Sequence, residues 1–165
     1  MAKVTFQGSP MSTVGELPTI GAQAPEFIVT GQALNDIKLS DFKGKRVVLN
    51  IFPSLDTDVC AASVRRFNIE VSELPDTVVL CVSMDLPFAA HRFCTVNNIK
   101  NVMTGSGFRS DFGKAYGIEL TDGLLRGLYA RALVVIDRDG KVIGTELVEE
   151  ITSEPDYELA KKLLA

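Results

Sequence analysis

The sequence lacks any apolar stretch approaching the roughly 20 residues that a membrane-spanning helix requires. No basic run exceeds two residues, so the clustered positive field needed by a nucleic-acid or anionic-membrane surface is missing. Histidine occurs once, and the three cysteines are widely separated with no CxxC pair. A structural zinc site wants four Cys or His ligands at close paired spacing, which excludes that class. A secreted disulfide scaffold would use more cysteines in a shorter chain. Residues 1–20 mix Lys3, Gln7 and Glu16 with apolar positions, so no signal peptide is visible. The cytoplasm is therefore the expected compartment, with the periplasm left open.

What the sequence does have is an ordinary globular composition. Its 165 residues predict one domain, residues 1–165, able to bury roughly 70% of the surface its unfolded chain exposes. Apolar residues make up 46% and charged residues 23%, and 21 acids against 17 bases leave a net charge of −4. That mixture is not the signature of disorder.

Two short strands, Lys3–Gln7 and Ser12–Gly15, are expected around Gly8–Ser9–Pro10. Phe27–Thr30 reads as a strand and Ile37–Leu39 as a short strand or turn. Arg46–Phe52 (RVVLNIF) and Thr77–Val82 (TVVLCV) are almost continuously apolar, as strands buried on both faces would be. Between them, Val59 to Leu74 carries apolar residues near the helical period. Phe88–Val96 reads as a helix begun by Pro87 with Asp85 as cap, and Asn101–Thr104 as a strand. Ser110–Tyr116 is a short helix closed by Gly117. Ala132–Asp137 and Lys141–Val148 form a hairpin, and Asp156–Leu164 a last helix entered through Pro155. This order indicates an α/β sandwich, a mixed central sheet flanked by helices, with an extra N-terminal β-hairpin. A thioredoxin-like fold has that appearance.

The segment richest in chemistry is Pro53-Ser-Leu-Asp-Thr-Asp-Val-Cys60. It leaves the carboxyl end of a buried strand and enters a helix, where open α/β sheets place their sites. Cys60 would lie in the first helical turn, where unpaired backbone N–H groups and the helix dipole favour a thiolate. Thr57, three residues earlier, could turn its hydroxyl toward the sulfur or toward a substrate oxygen. Pro53, lacking an N–H, could shield the sulfur from water. Taken alone, Cys60 fits a reactive thiol and a packed core thiol equally well.

The pattern PxxxTxxC, here Pro53, Thr57 and Cys60, resembles the peroxiredoxins. The strings DTDVCAASVRRFN (56–68), SMDLPFAAHRFC (83–94), GLYARALVVID (127–137) and EPDY (154–157) are similar to the bacterial thiol peroxidase subfamily and run in order across nearly the whole chain. The resemblance implies a peroxidatic Cys60, a hydroxyl partner Thr57, the motif proline Pro53, a resolving Cys94 and a distant arginine, Arg131. Asp58, where relatives often have glycine, and Thr95–Asn98 after Cys94 depart from the usual pattern. The implied reaction is reduction of hydrogen peroxide and organic hydroperoxides through a Cys60 sulfenic acid, then a Cys60–Cys94 disulfide that thioredoxin reopens. A homodimer without metal or cofactor is implied as well.

For Cys60 to bond Cys94, their Cα atoms must come within about 7 Å. Both are expected on helices, so one or both segments should unwind on oxidation. Ionisation alone cannot make a thiol a fast peroxidase. Lowering a thiol pKa from about 8.5 to about 6 raises the thiolate fraction roughly thirtyfold at pH 7. The same shift costs roughly ten- to eighteenfold in nucleophilicity, leaving a gain of only a few-fold. Arg131 and Thr57 are therefore expected to act on the peroxide oxygens during O–O cleavage. Asp56 and Asp58 oppose a nearby thiolate, with Arg65 or Arg66 as candidate offsets.

Other readings compete. Cys81, inside TVVLCV, is expected to be inert packing. His91, one helical turn before Cys94, is read as an exposed helix residue that could assist the resolving thiol. Arg109 fits a surface charge or a supporting contact, and Arg126 a solvated loop. A Cys–His hydrolase or transferase would have only His91 as its base. A peroxide-responsive redox sensor or thiol-transfer module using the same disulfide is the remaining alternative.

Overall fold

The most apolar segments of the chain form the centre of one sheet. The computed structural model describes residues 1–165. Its strands are β1 (Lys3–Phe6), β2 (Ser9–Ser12), β3 (Ile28–Thr30), β4 (Asp36–Lys38) and β5 (Arg46–Ile51). They continue with β6 (Thr77–Ser83), β7 (Met103–Ser106), β8 (Ala132–Ile136) and β9 (Val142–Leu147). The helices are α1 (Asp58–Glu70), α2 (Pro87–Val96), α3 (Phe112–Ala115) and α4 (Tyr157–Leu164), with a 3-10 turn at Leu39–Phe42.

β1 and β2 pair separately, and the other seven strands lie in the order β4-β3-β7-β6-β5-β8-β9. β5 pairs in parallel with β6, which pairs in parallel with β7, while β8, β9, β3 and β4 run antiparallel to their neighbours. The mixed sheet and N-terminal hairpin match the expected architecture.

Side chains alternate across the central strands, so β5 feeds two cores. Val47, Leu49 and Ile51 enter one core, together with Phe112 and Tyr116 from the α3 segment and Val4 and Met11 from the hairpin. Val48 and Phe52 enter the other, against α1, α2 and α4. On α1 and its C-cap residue Val71, the inward residues Cys60, Val64, Phe67 and Val71 are spaced four, three and four apart, one helical stripe. Phe67 packs on Tyr157 of α4 with ring centroids 5.2 Å apart. Truncating such a buried phenylalanine to alanine costs about 3–5 kcal/mol. All three cysteines, Cys60, Cys81 and Cys94, belong to this second core.

Two local expectations are corrected. The hairpin turn is Gln7–Gly8, not Gly8–Ser9–Pro10, and β2 starts at Ser9. Both turn residues have positive φ (50° and 83°), the conformation of a two-residue I′ turn. Pro10 sits within β2 opposite Thr5. The pair next to the turn, Phe6–Ser9, takes the ladder hydrogen bonds, so the missing Pro10 N–H falls at a non-bonded position. Second, Asp85 does not cap α2. Leu86 occupies that position without a side-chain cap, and Asp85 is used elsewhere. The expected last helix is present, beginning at Tyr157 with Asp156 as its cap, accepting from the Glu158 and Leu159 amides.

Candidate active site

Parallel pairing of β5 with β6 brings their carboxyl ends side by side, and the site is built there. β5 ends at Ile51, and the next amide, Phe52 N, still donates to Val82 of β6 at 3.2 Å. The chain then leaves the sheet through a buried Pro53 and turns into α1 at Thr57.

Asp85, just beyond β6, holds this turn in place. Its carboxylate accepts from Ser54 Oγ (2.8 Å), the Leu55 amide (2.7 Å) and Ser83 Oγ (2.7 Å). The Ser54 carbonyl in turn accepts from the Thr57 hydroxyl at 3.0 Å and the Thr57 amide at 3.2 Å. The Thr57 hydroxyl therefore donates to backbone rather than to the Cys60 sulfur, leaving its oxygen free to accept.

Cys60 stands in the first turn of α1 and is fully buried. Its carbonyl accepts from Ser63 Oγ at 2.8 Å, and Ser63 Oγ accepts from the buried Asn50 side chain at 3.2 Å. Asn50 is a polar residue at a core position of β5, and this bond ties the strand to the helix.

Arg131, immediately before β8, is 1% exposed. Its Nη2 donates toward Cys60 Sγ at 3.1 Å, and its Nε donates to the Ile151 carbonyl at 2.8 Å. Nη1 is buried with no hydrogen-bond partner in the protein. A guanidinium has its donors fixed in one plane, so the Ile151 bond sets where the other two nitrogens point.

Pro53, Thr57 and Arg131 line a common cavity of about 340 Å³ whose apolar walls include Phe6, Val59, Leu125, Leu128 and Ile151. Four of the five sequence-derived site residues thus meet at one place. Cys94 does not. It lies buried on α2, within the same core as Cys60 but beside a separate depression lined by Gln32, His91 and Lys100. All three cysteines are free thiols. Burial pushes the Cys94 thiol up, with the neighbouring Gln32 amide pulling the other way. Burial pushes Cys81 up to about 12, opposed by the Asn50 side chain. At neutral pH such a thiol is almost wholly protonated and a poor nucleophile.

His91 is exposed, with Nδ1 3.3 Å from Gln32 Oε1, and it borders the depression beside Cys94. Arg109 donates to Thr30 Oγ1 at 3.0 Å, a tie to β3, and Arg126 is exposed. Arg65 and Arg66 do not offset Asp56 and Asp58 at the sulfur. Arg65 bonds Asn97, while Arg66 pairs with Glu70 and stacks 4.1 Å from the Tyr157 ring centroid. No group of three or more His, Cys, Asp or Glu side chains is placed to hold a metal ion.

Sequence reasoning missed Asp85 as a tether and the Ile151 carbonyl as an arginine anchor. Asp85 carried a usable signal, since it follows the carboxyl end of a buried strand next to the Cys60 strand. A backbone carbonyl carries none.

The sequence pattern of the redoxin family matches residues 19–161. The chain belongs to the redoxin family. The thiol peroxidase of Corynebacterium glutamicum is 51% identical over 160 residues, 97% of each chain. That of Mycobacterium tuberculosis is 53% identical over 160 residues, 97% of this chain and 96% of the relative. Among solved structures, the peroxiredoxin-like protein of Aquifex aeolicus aligns with a TM-score of 0.94 at 39% identity, covering 100% of this redoxin and 98% of that chain. The redoxin has Pro53, Thr57 and Arg131 on the wall of one cavity at the carboxyl ends of its parallel strands, with the buried Cys60 reached through the Arg131 fork.

Proposed function

We propose that the chain is a thioredoxin-dependent thiol peroxidase that reduces hydroperoxides with Cys60 and resolves the product with Cys94. The observation that carries this reading is the buried Arg131 fork, with one nitrogen 3.1 Å from Cys60 Sγ and another unpartnered. The full-length kinship with thiol peroxidases supports it.

In the first step the Cys60 thiolate attacks the terminal peroxide oxygen. The S–O bond forms as the O–O bond breaks, and the leaving alkoxide or hydroxide takes a proton and departs as alcohol or water. Cys60 is left as a sulfenic acid, oxidised by two electrons. The free Nη1 donor is suited to the oxygen that gains charge, and the Thr57 oxygen can accept the peroxide O–H. The Cys94 thiol then attacks the sulfenic sulfur, a disulfide forms and water leaves. Thiol–disulfide exchange with a reduced dithiol such as thioredoxin returns both cysteines to thiols.

The cavity of about 340 Å³ with its apolar walls accommodates more than hydrogen peroxide, which supports organic hydroperoxides as substrates. A homodimer is proposed on the family resemblance, and the exposed Phe88 and Leu124 are apolar surface that a second copy would remove from water. No helix is long and apolar enough to cross a membrane. The cytoplasm is proposed as the compartment because reduced thioredoxin is maintained there.

The test is sustained consumption of cumene hydroperoxide with thioredoxin, thioredoxin reductase and NADPH. Many turnovers per chain, abolished by Cys60→Ser, are expected. Oxidation that stops after one equivalent despite reduced thioredoxin would replace the peroxidase reading with that of a redox sensor.

A further inference from the structure

Nineteen residues beyond Arg131, the carboxylate of Glu150 accepts from five donors. Glu150 Oε1 accepts from the Gly8 amide (2.9 Å) and Thr5 Oγ1 (3.0 Å). Oε2 accepts from the Thr152 amide (2.9 Å), Thr152 Oγ1 (2.7 Å) and the Gln7 amide (3.2 Å). Five donors from two segments converge on one group. Two of them are consecutive amides of the I′ hairpin turn, whose paired N–H groups form a concavity suited to an anion. The Thr152 and Gly8 amides are the strongest of the contacts that bring this carboxyl down to about 2.

The residue beside this knot is the one that aims the arginine. Ile151 donates its amide to the Thr5 carbonyl at 2.8 Å and receives Arg131 Nε on its own carbonyl at 2.8 Å. The Thr5 amide donates to Glu149 at 2.7 Å, so β1 grips the loop on both sides of Glu150. The hairpin supplies Phe6 and Gln7 to the wall of the cavity that Arg131 lines, and the loop supplies Ile151 and Thr152. The N-terminal hairpin therefore has a route to the reacting sulfur: hairpin turn, Glu150, Ile151 carbonyl, Arg131, Cys60.

We propose that Glu150 is a positioning residue for peroxide reduction, locking the N-terminal hairpin to the 149–152 loop so that the Ile151 carbonyl aims the Arg131 fork at Cys60 and its substrate. This rests on the peroxidase reading of Arg131. A loop held only by backbone contacts at a surface opens readily, and a fork anchored to it would swing. Misplacement of a reacting partner by about 1 Å can cost roughly a hundredfold in rate.

The test compares two reactions of the same sulfur in the full-length protein. Peroxide reduction needs the aimed fork, whereas alkylation of the buried Cys60 by iodoacetamide, followed by mass spectrometry at that site, needs only that the thiolate be reached. Glu150→Gln keeps the volume but sets amide hydrogens against the five donors. It should lower the ratio of peroxide rate to alkylation rate roughly ten- to hundredfold. Thr152→Val, which removes one donor and leaves the fold intact, should lower it by a smaller factor of roughly two to five. Because Glu150 acts through Arg131, Glu150→Gln should not change the ratio further in an Arg131→Lys background.

A merely structural staple would lower the melting temperature and leave the ratio unchanged. An unchanged ratio in Glu150→Gln, or an equal loss in both backgrounds, overturns the proposal. If Glu150→Gln does not fold, an unchanged ratio in Thr152→Val overturns it. If Arg131→Lys itself reduces peroxide normally, the peroxidase role of Arg131 fails first, and the two failures are thereby told apart.

Discussion

Replacing Arg131 by lysine keeps the positive charge and removes the fork. Arginine places three nitrogens at once: Nε on the Ile151 carbonyl at 2.8 Å, Nη2 near Cys60 Sγ at 3.1 Å, and Nη1 without a protein partner. A single lysine nitrogen at the end of a flexible stem cannot occupy all three positions. If it stays at the sulfur, the Ile151 carbonyl loses its charged donor, at a cost of about 1–3 kcal/mol in stability. For a chain of this length that lowers the melting temperature by roughly 2–4 °C per kcal/mol. The kinetic cost is separate. Removing one preorganised donor from the site of developing negative charge typically costs about 10²–10³ in rate. Arg131→Lys is therefore expected to fold, to melt a few degrees early, and to reduce peroxide about 10²–10³ times more slowly. The chain contains no tryptophan, so oxidation is best followed by rapid quenching and mass spectrometry across a range of peroxide concentrations. A folded variant that oxidises within about threefold of the native rate would refute the argument that the fork, rather than charge alone, drives O–O cleavage.

Three further outcomes are expected. Asp85→Ala should release Ser54 and Leu55 and loosen the carbonyl that holds Thr57, lowering stability by about 1–2 kcal/mol and the peroxide rate roughly tenfold. A rate unchanged beside a lowered melting temperature would confine Asp85 to stability. Because burial raises the Cys94 thiol, disulfide formation after Cys60 is oxidised should accelerate as pH rises from 6.5 to 9, read as thiol loss after a pH jump; a flat profile would mean that another event limits resolution. Finally, Glu150 lies near 2 in the folded chain against an ordinary 4.5. The folded state then binds fewer protons at this site, so its contribution is complete above about 4.5 and is lost as pH falls toward about 2. Melting temperature against pH should show this acid limb in the native chain and a shallower one in Glu150→Gln, and superimposable curves would count against it.

What could be read from the sequence was whatever local pattern encodes. RVVLNIF followed by Pro53 and a helical stripe was enough to place Cys60 in the first turn of a helix after a buried strand. The hairpin β8–β9 and the final helix are equally visible, because turn residues and a helix-entering proline act on their immediate neighbours. Pro10 reads as a turn residue because proline usually marks one, whereas the Gln7–Gly8 turn that precedes it leaves a non-bonded position where proline fits. Asp85 reads as a cap of α2 because it precedes Pro87, yet the three donors that claim its carboxylate come from Ser54, Leu55 and Ser83. Arg131 sits 71 residues from Cys60. Nothing in its local sequence states that contact, and only the resemblance pointed to it. Glu150 was missed for the same reason, since three of its five donors lie at Thr5, Gln7 and Gly8.

The most direct measurement of the central claim is a free-thiol count in denaturant before and after one equivalent of cumene hydroperoxide. The reduced chain has three thiols. The proposed chemistry predicts a fall to one, with Cys81 as the survivor and Cys60 joined to Cys94 in the peptide map, and no fall in Cys60→Ser. A count that stays at three, or stops at two with Cys94 still free, would contradict it.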